Sequence, residues 1–352
     1  MNRVAVRWLR GGAWVLAWAI TSGCVLWALG ALLYDWPTLK PAAVCGFGVL
    51  LVAALALLRG QTFKIVAVFG VFLLVLGWWW TLKPSNTRPW QGDVAQAAWG
   101  EIAGDKVTLH NVRNCEYRTE TDYTPRWETR TVQLSHLSSV DLAITYWGSA
   151  LMAHPIVSFQ FDDAPAVCFS IETRKEVGES YSAIGGFYRQ YELIYVCADE
   201  RDVVRLRTNY RAGEDVYLYR TMLPAEKARR WFLEYLAAMN ELRLKPRWYN
   251  AATTNCTTTI RTQHAAAERA PWDWRMLVNG YADEMLYERG ALAGGIPFAE
   301  LKRQARINEA AVASDGAADF SQRIRTGRSG FASLLRVGME EPGLKLEGAP
   351  PG

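Results

Sequence analysis

Cys256 stands in the run Thr253-Thr254-Asn255-Cys256-Thr257-Thr258-Thr259-Ile260, small hydroxyl and amide residues of the kind that lead a loop into a helix. A thiol in the first turn of a helix sees unpaired backbone N–H groups and the positive end of the helix dipole. Both favour the thiolate, which is the nucleophilic form. The same N–H groups, with the Asn255 amide beside them, can hold an oxyanion. The competing readings are a buried structural thiol and one half of a disulfide.

A cysteine nucleophile needs a base, and the chain has four histidines. His110 and His136 fall in strand-like patterns, and His264 lies two turns into the helix after Cys256. His154 precedes Pro155-Ile156-Val157-Ser158-Phe159, at the mouth of an expected strand. A strand-borne His facing a helix-borne Cys is the papain-type arrangement, so His154 leads and His110 follows. Cys115, Cys168 and Cys197 accompany Cys256 beyond residue 82, and four thiols permit three full pairings. If Cys256 is a nucleophile, at most one disulfide can form. No C-x-x-C or His/Cys spacing suits zinc, so neither metal nor cofactor is expected.

Two charged clusters stand out. Ser170-Ile171-Glu172-Thr173-Arg174-Lys175-Glu176 puts Glu172 and Arg174 on one strand face, and Glu172 or Ser170 could orient the histidine. Asp199-Glu200-Arg201-Asp202 reads as a hairpin connection. A solvated face or structural ion pairs is the plain reading of both. The absence of a Gly-rich phosphate loop and of a G-x-S-x-G elbow weighs against a nucleotide site and a serine hydrolase.

These residues need elements to hold them. Alternation and turn signals predict strands at 107–112, 131–134, 156–161, 167–172, 191–197, 203–207 and 216–219. Pro224 opens a helix over 225–242 with Trp231, Phe232, Tyr235, Leu236 and Met239 at helical spacing. Further helices are expected from Cys256, over 273–289 and over 298–311. Strands first and helices later predict one α+β domain.

Charge separates this domain from what precedes it. The 352 residues carry 39 Lys+Arg against 35 Asp+Glu. Residues 1–80 hold six of the basic residues (Arg3, Arg7, Arg10, Lys40, Arg59, Lys64) and one acid, Asp35, which leaves 33 basic and 34 acidic residues beyond them. The excess positive charge thus belongs to an apolar segment, and a nucleic-acid partner is not expected. Three apolar runs, 14–33, 42–58 and 65–80, come near the length that crosses a membrane as helices. The positive-inside rule puts Arg3, Arg7, Arg10, Arg59 and Lys64 in the cytoplasm and everything after Trp80 outside, with Trp78, Trp79 and Trp80 at the outer interface. Thr21-Ser22-Gly23-Cys24 is similar to a lipoprotein cleavage box. The apolar residues after Cys24 favour a membrane helix instead. The expected organisation is a membrane segment over 1–82, a linker and short helix over 83–104, the α+β domain over 105–337 and a flexible tail over 338–352.

Several stretches together resemble the Lnb N-terminal periplasmic domain family: His154-Pro155-Ile156-Val157-Ser158-Phe159, Phe169-Ser170-Ile171-Glu172-Thr173-Arg174-Lys175-Glu176, Tyr191-Glu192-Leu193-Ile194-Tyr195, Asp199-Glu200-Arg201-Asp202 and Asn255-Cys256-Thr257-Thr258. Asn111-Val112-Arg113-Asn114 and residues 298–308 fit as well, so the similarity covers roughly 88–330. The resemblance implies a papain-like (NlpC-like) thiol domain in permuted order, His before Cys, with the family's pair falling on Cys256 and His154. In the Lnb branch it implies transfer of a fatty acyl chain to the α-amine of a lipoprotein's N-terminal cysteine. Here the membrane runs precede the domain, whereas Lnb carries its membrane part after it. The expectation is a membrane-anchored periplasmic thiol acyltransferase of the bacterial inner membrane, with membrane lipid and lipoprotein as partners. The alternatives are a cysteine peptidase or amidase acting on cell-wall peptide, and a non-catalytic envelope assembly module.

Overall fold

The apolar runs fold as three long helices: α1 (Arg3–Tyr34), α2 (Lys40–Leu57) and α3 (Gln61–Thr81). The structure, a computed structural model, describes residues 3–264, 269–276 and 278–331. The tail expected over 338–352 lies outside the described residues. All three helices are long and apolar enough to cross a membrane: 27 residues over Trp8–Tyr34, 18 over Lys40–Leu57 and 21 over Gln61–Thr81. Ala28 and Ala31 have no exposed surface, so small residues let the helix backbones approach closely. Around them Trp27 meets Phe72 edge-on at 5.9 Å and Trp79 at 5.1 Å. After α1, Asp35 accepts a hydrogen bond from Trp79 Nε1 at 2.7 Å, which ties the α1–α2 turn to the end of α3.

The chain divides into two compact units. The first combines residues 1–97 with 171–195 and 237–262. In it the segment after α3 is pinned by Arg174, whose guanidinium donates to the carbonyls of Val94 and Ala95 and to Asn86 Oδ1 and lies 4.4 Å from the Trp90 ring centre. Burial lowers the Arg174 pKa to about 10, the cost of taking a cation out of water, with Glu192 pulling the other way. Glu192 pairs with Arg88 at 3.1 Å and accepts from Ser85 N. Burial pushes its carboxyl up to about 7 against the pull of Arg88.

The second unit is built on a mixed sheet, so the α+β class expected above holds. The strands are β1 (Trp99–Ala103), β2 (Lys106–Arg113), β3 (Glu116–Tyr117), β4 (Tyr123–Thr124), β5 (Trp127–Gln133), β6 (Leu137–Trp147), β7 (Ser149–Phe161), β8 (Val167–Arg174), β9 (Glu192–Asp199) and β10 (Glu214–Arg220). The order is β1-β2-β9-β8-β7-β6-β10, with β5 paired to β2 and β3–β4 a separate hairpin. β2 and β9 run parallel; β6 and β7 form a long antiparallel hairpin that turns at Gly148, whose φ of 64° suits a residue without Cβ. The helices that follow are α4 (Glu200–Arg205), α5 (Ala225–Leu244), α6 (Cys256–Gln263), α7 (Ala282–Glu288), α8 (Phe298–Ala305), α9 (Asn308–Ala313) and α10 (Phe320–Arg323). Phe159 of β7, Phe169 of β8 and Phe232 and Tyr235 of α5 form an aromatic cluster with centroids 5.1–5.8 Å apart, edge-on except for the tilted Phe169–Tyr235 pair. Each such buried ring contributes about 1.5–3 kcal/mol.

Four local expectations change, and one strand forms where none was expected. Residues 199–202 are not a hairpin connection and 203–207 are not a strand; they open and form α4, which runs into a wider turn over Leu206–Tyr210. Asp199 caps α4 by accepting from Arg201 N at 2.8 Å, and Glu200 and Asp202 occupy the first turn, where the helix dipole favours acids. β6 carried no expectation because Asp141 interrupts its apolar run; Arg220 and Arg325 neutralise that buried carboxylate. The helix expected over 273–289 is regular only at α7, and that over 298–311 breaks at Arg306 and Ile307 into α8 and α9.

Candidate functional site

In the first unit, the loop before α6 is held by backbone bonds to neighbours distant in sequence. Tyr249 N donates to Tyr191 O at 2.9 Å, and Ala251 N to Gly186 O at 2.7 Å. Asn250 folds the loop on itself, its Oδ1 accepting from the amides of Ala252 and Thr253 while its Nδ2 donates to Phe187 O. Asn255 then caps α6. Its Oδ1 accepts from Thr258 N at 2.8 Å, and Thr258 Oγ1 accepts from Asn255 N at 3.0 Å, a reciprocal pair of the capping-box kind. The Asn255 amide also donates to Ala251 O. Cys256 is therefore the first residue of a capped helix, as its sequence context predicts. Its side chain lies outside the described residues.

His154 and Ser170 belong to the second unit, and the sheet brings them together. Ile156 of β7 sits opposite Ser170 of β8 in the antiparallel register, so His154, on the same face as Ile156, reaches Ser170 diagonally. His154 Nε2 and Ser170 Oγ are 2.7 Å apart, with His154 8% exposed and Ser170 fully buried. On the other side of β7, Thr145 of β6 pairs with His154; its buried hydroxyl has no partner among the described residues. β7 extends from Ser149, so His154 lies inside the strand rather than at its mouth. The amide of Ala153 donates to Asn279 Oδ1 at 2.9 Å, and Gly280 packs so tightly on Ala150 that a Cβ would lie 2.1 Å from its carbonyl oxygen. Sequence reasoning missed Asn279 and Gly280, whose contacts are with β7 residues far away in the chain. A cleft of about 470 Å³ in this unit opens among Trp147, Ala150, Tyr217, Gly280 and Lys302, a short way along β7 from His154.

The other histidines have plainer settings. His110 stacks on Trp99 with ring centres 4.0 Å apart, and His136 makes an exposed pair with Asp163 at 2.6 Å. His264 is paired with Glu234 and lies against Trp231.

Cys115, Cys168 and Cys197 are buried free thiols. Burial pushes Cys115 up to about 11 and Cys197 up to about 12, and raises Cys168 well above its ordinary value. None of the three is suited to form a thiolate near neutrality.

Of the two charged clusters, 199–202 is spent on packing. Glu200 accepts from both ends of the Arg325 guanidinium at 2.6 and 2.7 Å and from Ser158 Oγ at 2.7 Å. Burial alone would raise its carboxyl, but the Arg325 cation holds it below its ordinary value. Asp202 accepts from Arg113 and from Cys115 N. Glu172 is half-buried in the part of β8 that belongs to the first unit, ahead of the structural Arg174. Among the described residues no group of His, Cys, Asp or Glu could hold a metal ion.

Residues 123–280 match the family model described as the Lnb N-terminal periplasmic domain, a little under half of the chain. This is the family that the sequence motifs resemble, and all five candidate residues (His154, Ser170, Glu172, Asn255 and Cys256) fall inside the match. Neither among curated proteins nor among solved structures was any match to the chain found.

Proposed function

With residues 123–280 in the Lnb N-terminal periplasmic domain family, we propose that the protein is a membrane-anchored thiol acyltransferase of the bacterial envelope. The thiolate of Cys256 attacks the ester carbonyl of a membrane lipid, and the N–H groups at the start of α6 hold the oxyanion. The tetrahedral intermediate expels the lipid alcohol, which takes its proton from His154. The resulting acyl thioester is then attacked by an amine, giving an amide and restoring the thiol. A lipoprotein's N-terminal amine is the acceptor implied by the resemblance.

The observation that carries this reading is the placement of Cys256 on a capped helix within the same compact unit as the apolar helices. A thiol held in a membrane-bound body works at a high effective concentration of lipid ester. His154 supports the reading separately. His154 Nε2 and Ser170 Oγ share a hydrogen bond at 2.7 Å whose direction follows the tautomer; in the tautomer that donates from Nε2, Nδ1 is the basic nitrogen. The dyad requires Nδ1 to come within hydrogen-bond reach of the Cys256 thiol.

The basic residues of 1–80 supply the orientation: the N-terminus in the cytoplasm, the helices in the inner membrane and the domain in the periplasm. Mass spectrometry of lipoprotein N-termini, in a strain lacking other enzymes of this kind, tests the proposal. N-acylation should appear with the wild-type chain and vanish with Cys256→Ala. Acylation unchanged by Cys256→Ala sinks it. Release of peptides from purified murein would favour a peptidase instead, and absence of any labelling of Cys256 by a lipid-ester probe would favour an inert assembly module.

A further inference from the structure

The turn Gly185–Phe187, between β8 and β9, touches the membrane helices on one side and the loop before Cys256 on the other, all within the first unit. Tyr188 stacks on Tyr34 at 5.4 Å and approaches Trp27 at 6.2 Å. Its hydroxyl lies over Gly30, where a Cβ would sit 1.9 Å from that oxygen. At 1.5 Å per residue Gly30 lies about 6 Å, and Trp27 about 10 Å, in from the end of α1 at Tyr34. Trp27 in turn meets Phe72, well inside α3. The Tyr188 ring is therefore inserted alongside helix surface that belongs to the bilayer if the helices span it.

Arg189 marks the border. Its guanidinium sits 3.7 Å from the Trp79 ring centre and donates to the carbonyls of Trp79 and Leu82, closing the open C-terminal end of α3. A cation stacked on an interfacial Trp belongs at the headgroup level. Beside these two residues Ile184 and Phe187 are 62% and 55% exposed, although their neighbours Gly185 and Gly186 are buried. Gly185 is packed against the Tyr34 ring, so the flanking side chains stand at the outer end of α1. The opposite side of the turn bonds to the loop before α6 through Gly186 O and Phe187 O.

We propose that Ile184 and Phe187 insert into the outer leaflet at the boundary of headgroups and acyl chains, so that this turn is a lipid-contacting anchor. The anchor holds the loop 250–255, and Cys256 after it, at the depth of the glycerol esters. The inference rests on the membrane-spanning part of the function proposed above and not on the chemistry at Cys256. The occupant is phospholipid rather than a protein partner, because the exposed pair flanks Gly185, which packs on Tyr34 of α1, a membrane-type helix whose Leu26 and Leu33 are also exposed.

Photocrosslinking of the full chain in phosphatidylethanolamine–phosphatidylglycerol vesicles tests it, in the Cys256→Ala background so that no acyl transfer contributes. Benzoylphenylalanine is placed in turn at Ile184, at Phe187, at Leu74 on the exposed face of α3, and at Glu241, which forms an exposed ion pair with Arg247. Phospholipid adducts at Ile184 and Phe187 should come within about threefold of the Leu74 yield and exceed the Glu241 yield by about tenfold. Adducts at Leu74 with none at Ile184 and Phe187 overturn the anchor while leaving the membrane helices standing. No adduct at Leu74 either overturns the anchor together with the spanning helices. Neither result bears on whether Cys256 is a nucleophile.

Discussion

Residues 199–202 and residues 249–256 make opposite use of polar groups. The first stretch carries three acids in four residues, and each is closed off by a partner: Asp199 by Arg130, Glu200 by Arg325, Asp202 by Arg113. The second has no charge at all, yet its amides and hydroxyls fix a turn and a cap around the first residue of α6. A buried carboxylate held by an arginine is already engaged by its partner and is costly to open. A capped helix start leaves backbone dipoles aligned on whatever stands at its mouth. In this chain the dense charge builds the scaffold and the uncharged loop is where the chemistry is proposed.

The sharpest way to break this comparison is to swap the expected consequences. Cys256→Ser should lower acyl transfer by more than about a thousandfold and leave thermal unfolding in detergent within about 1 kcal/mol of the wild type. Arg325→Met should do the reverse, costing about 3–5 kcal/mol in stability, because Glu200 and Asp141 would stay buried without their shared cation. A Cys256 variant that unfolds, or an Arg325 variant that folds normally but is inactive, would invert the assignment of scaffold and site.

Smaller effects sharpen the boundary. Ser170→Ala removes the hydroxyl that is hydrogen-bonded to His154 Nε2 and should cost about ten- to a hundredfold in rate, with the acid limb of the pH–rate profile displaced. A rate unchanged by this substitution would leave His154 without its proposed orienting partner. Asn255→Ala should cost about 1 kcal/mol through loss of the α6 cap and slow iodoacetamide labelling of Cys256. The smallest effect expected is at Glu192. Its carboxyl is raised by burial from its ordinary 4.5 to about 7, so the folded state holds the proton more tightly. Its contribution to stability is whole below pH 4.5, is lost as pH rises to about 7 and is flat above. Glu192→Gln should flatten that slope and gain about 1 kcal/mol at pH 8, part of the gain being offset by loss of Arg88 as a partner. An unaltered slope between pH 5 and 8 would remove Glu192 as its source.

Much of this was legible along the chain because the signals are local. The three apolar helices follow from run length alone, and the strands at 107–112, 156–161 and 167–172 from alternation. The start of α6 follows from Asn255 and Thr258, three residues apart as a cap requires. The misreadings occur where a distant residue decides. The β-branched start and alternation of 203–207 look like a strand until Arg325 and Arg113 neutralise the acids that open α4. β6 is hidden by Asp141, whose partners Arg220 and Arg325 come from two other parts of the chain.

The sequence by itself determined the apolar helices, the α+β class, the helix start at Cys256 and the family its motifs resemble. These depend on hydrophobic period and on hydrogen bonds between near neighbours, which order along the chain encodes directly. Only the tertiary structure decided that His154 meets Ser170 across β7 and β8, and that the loop before Cys256 is bonded to the turn at Gly185–Phe187. It alone put Tyr188 over Gly30. Such pairings join residues far apart in the chain, and their register is set by packing that no single segment carries.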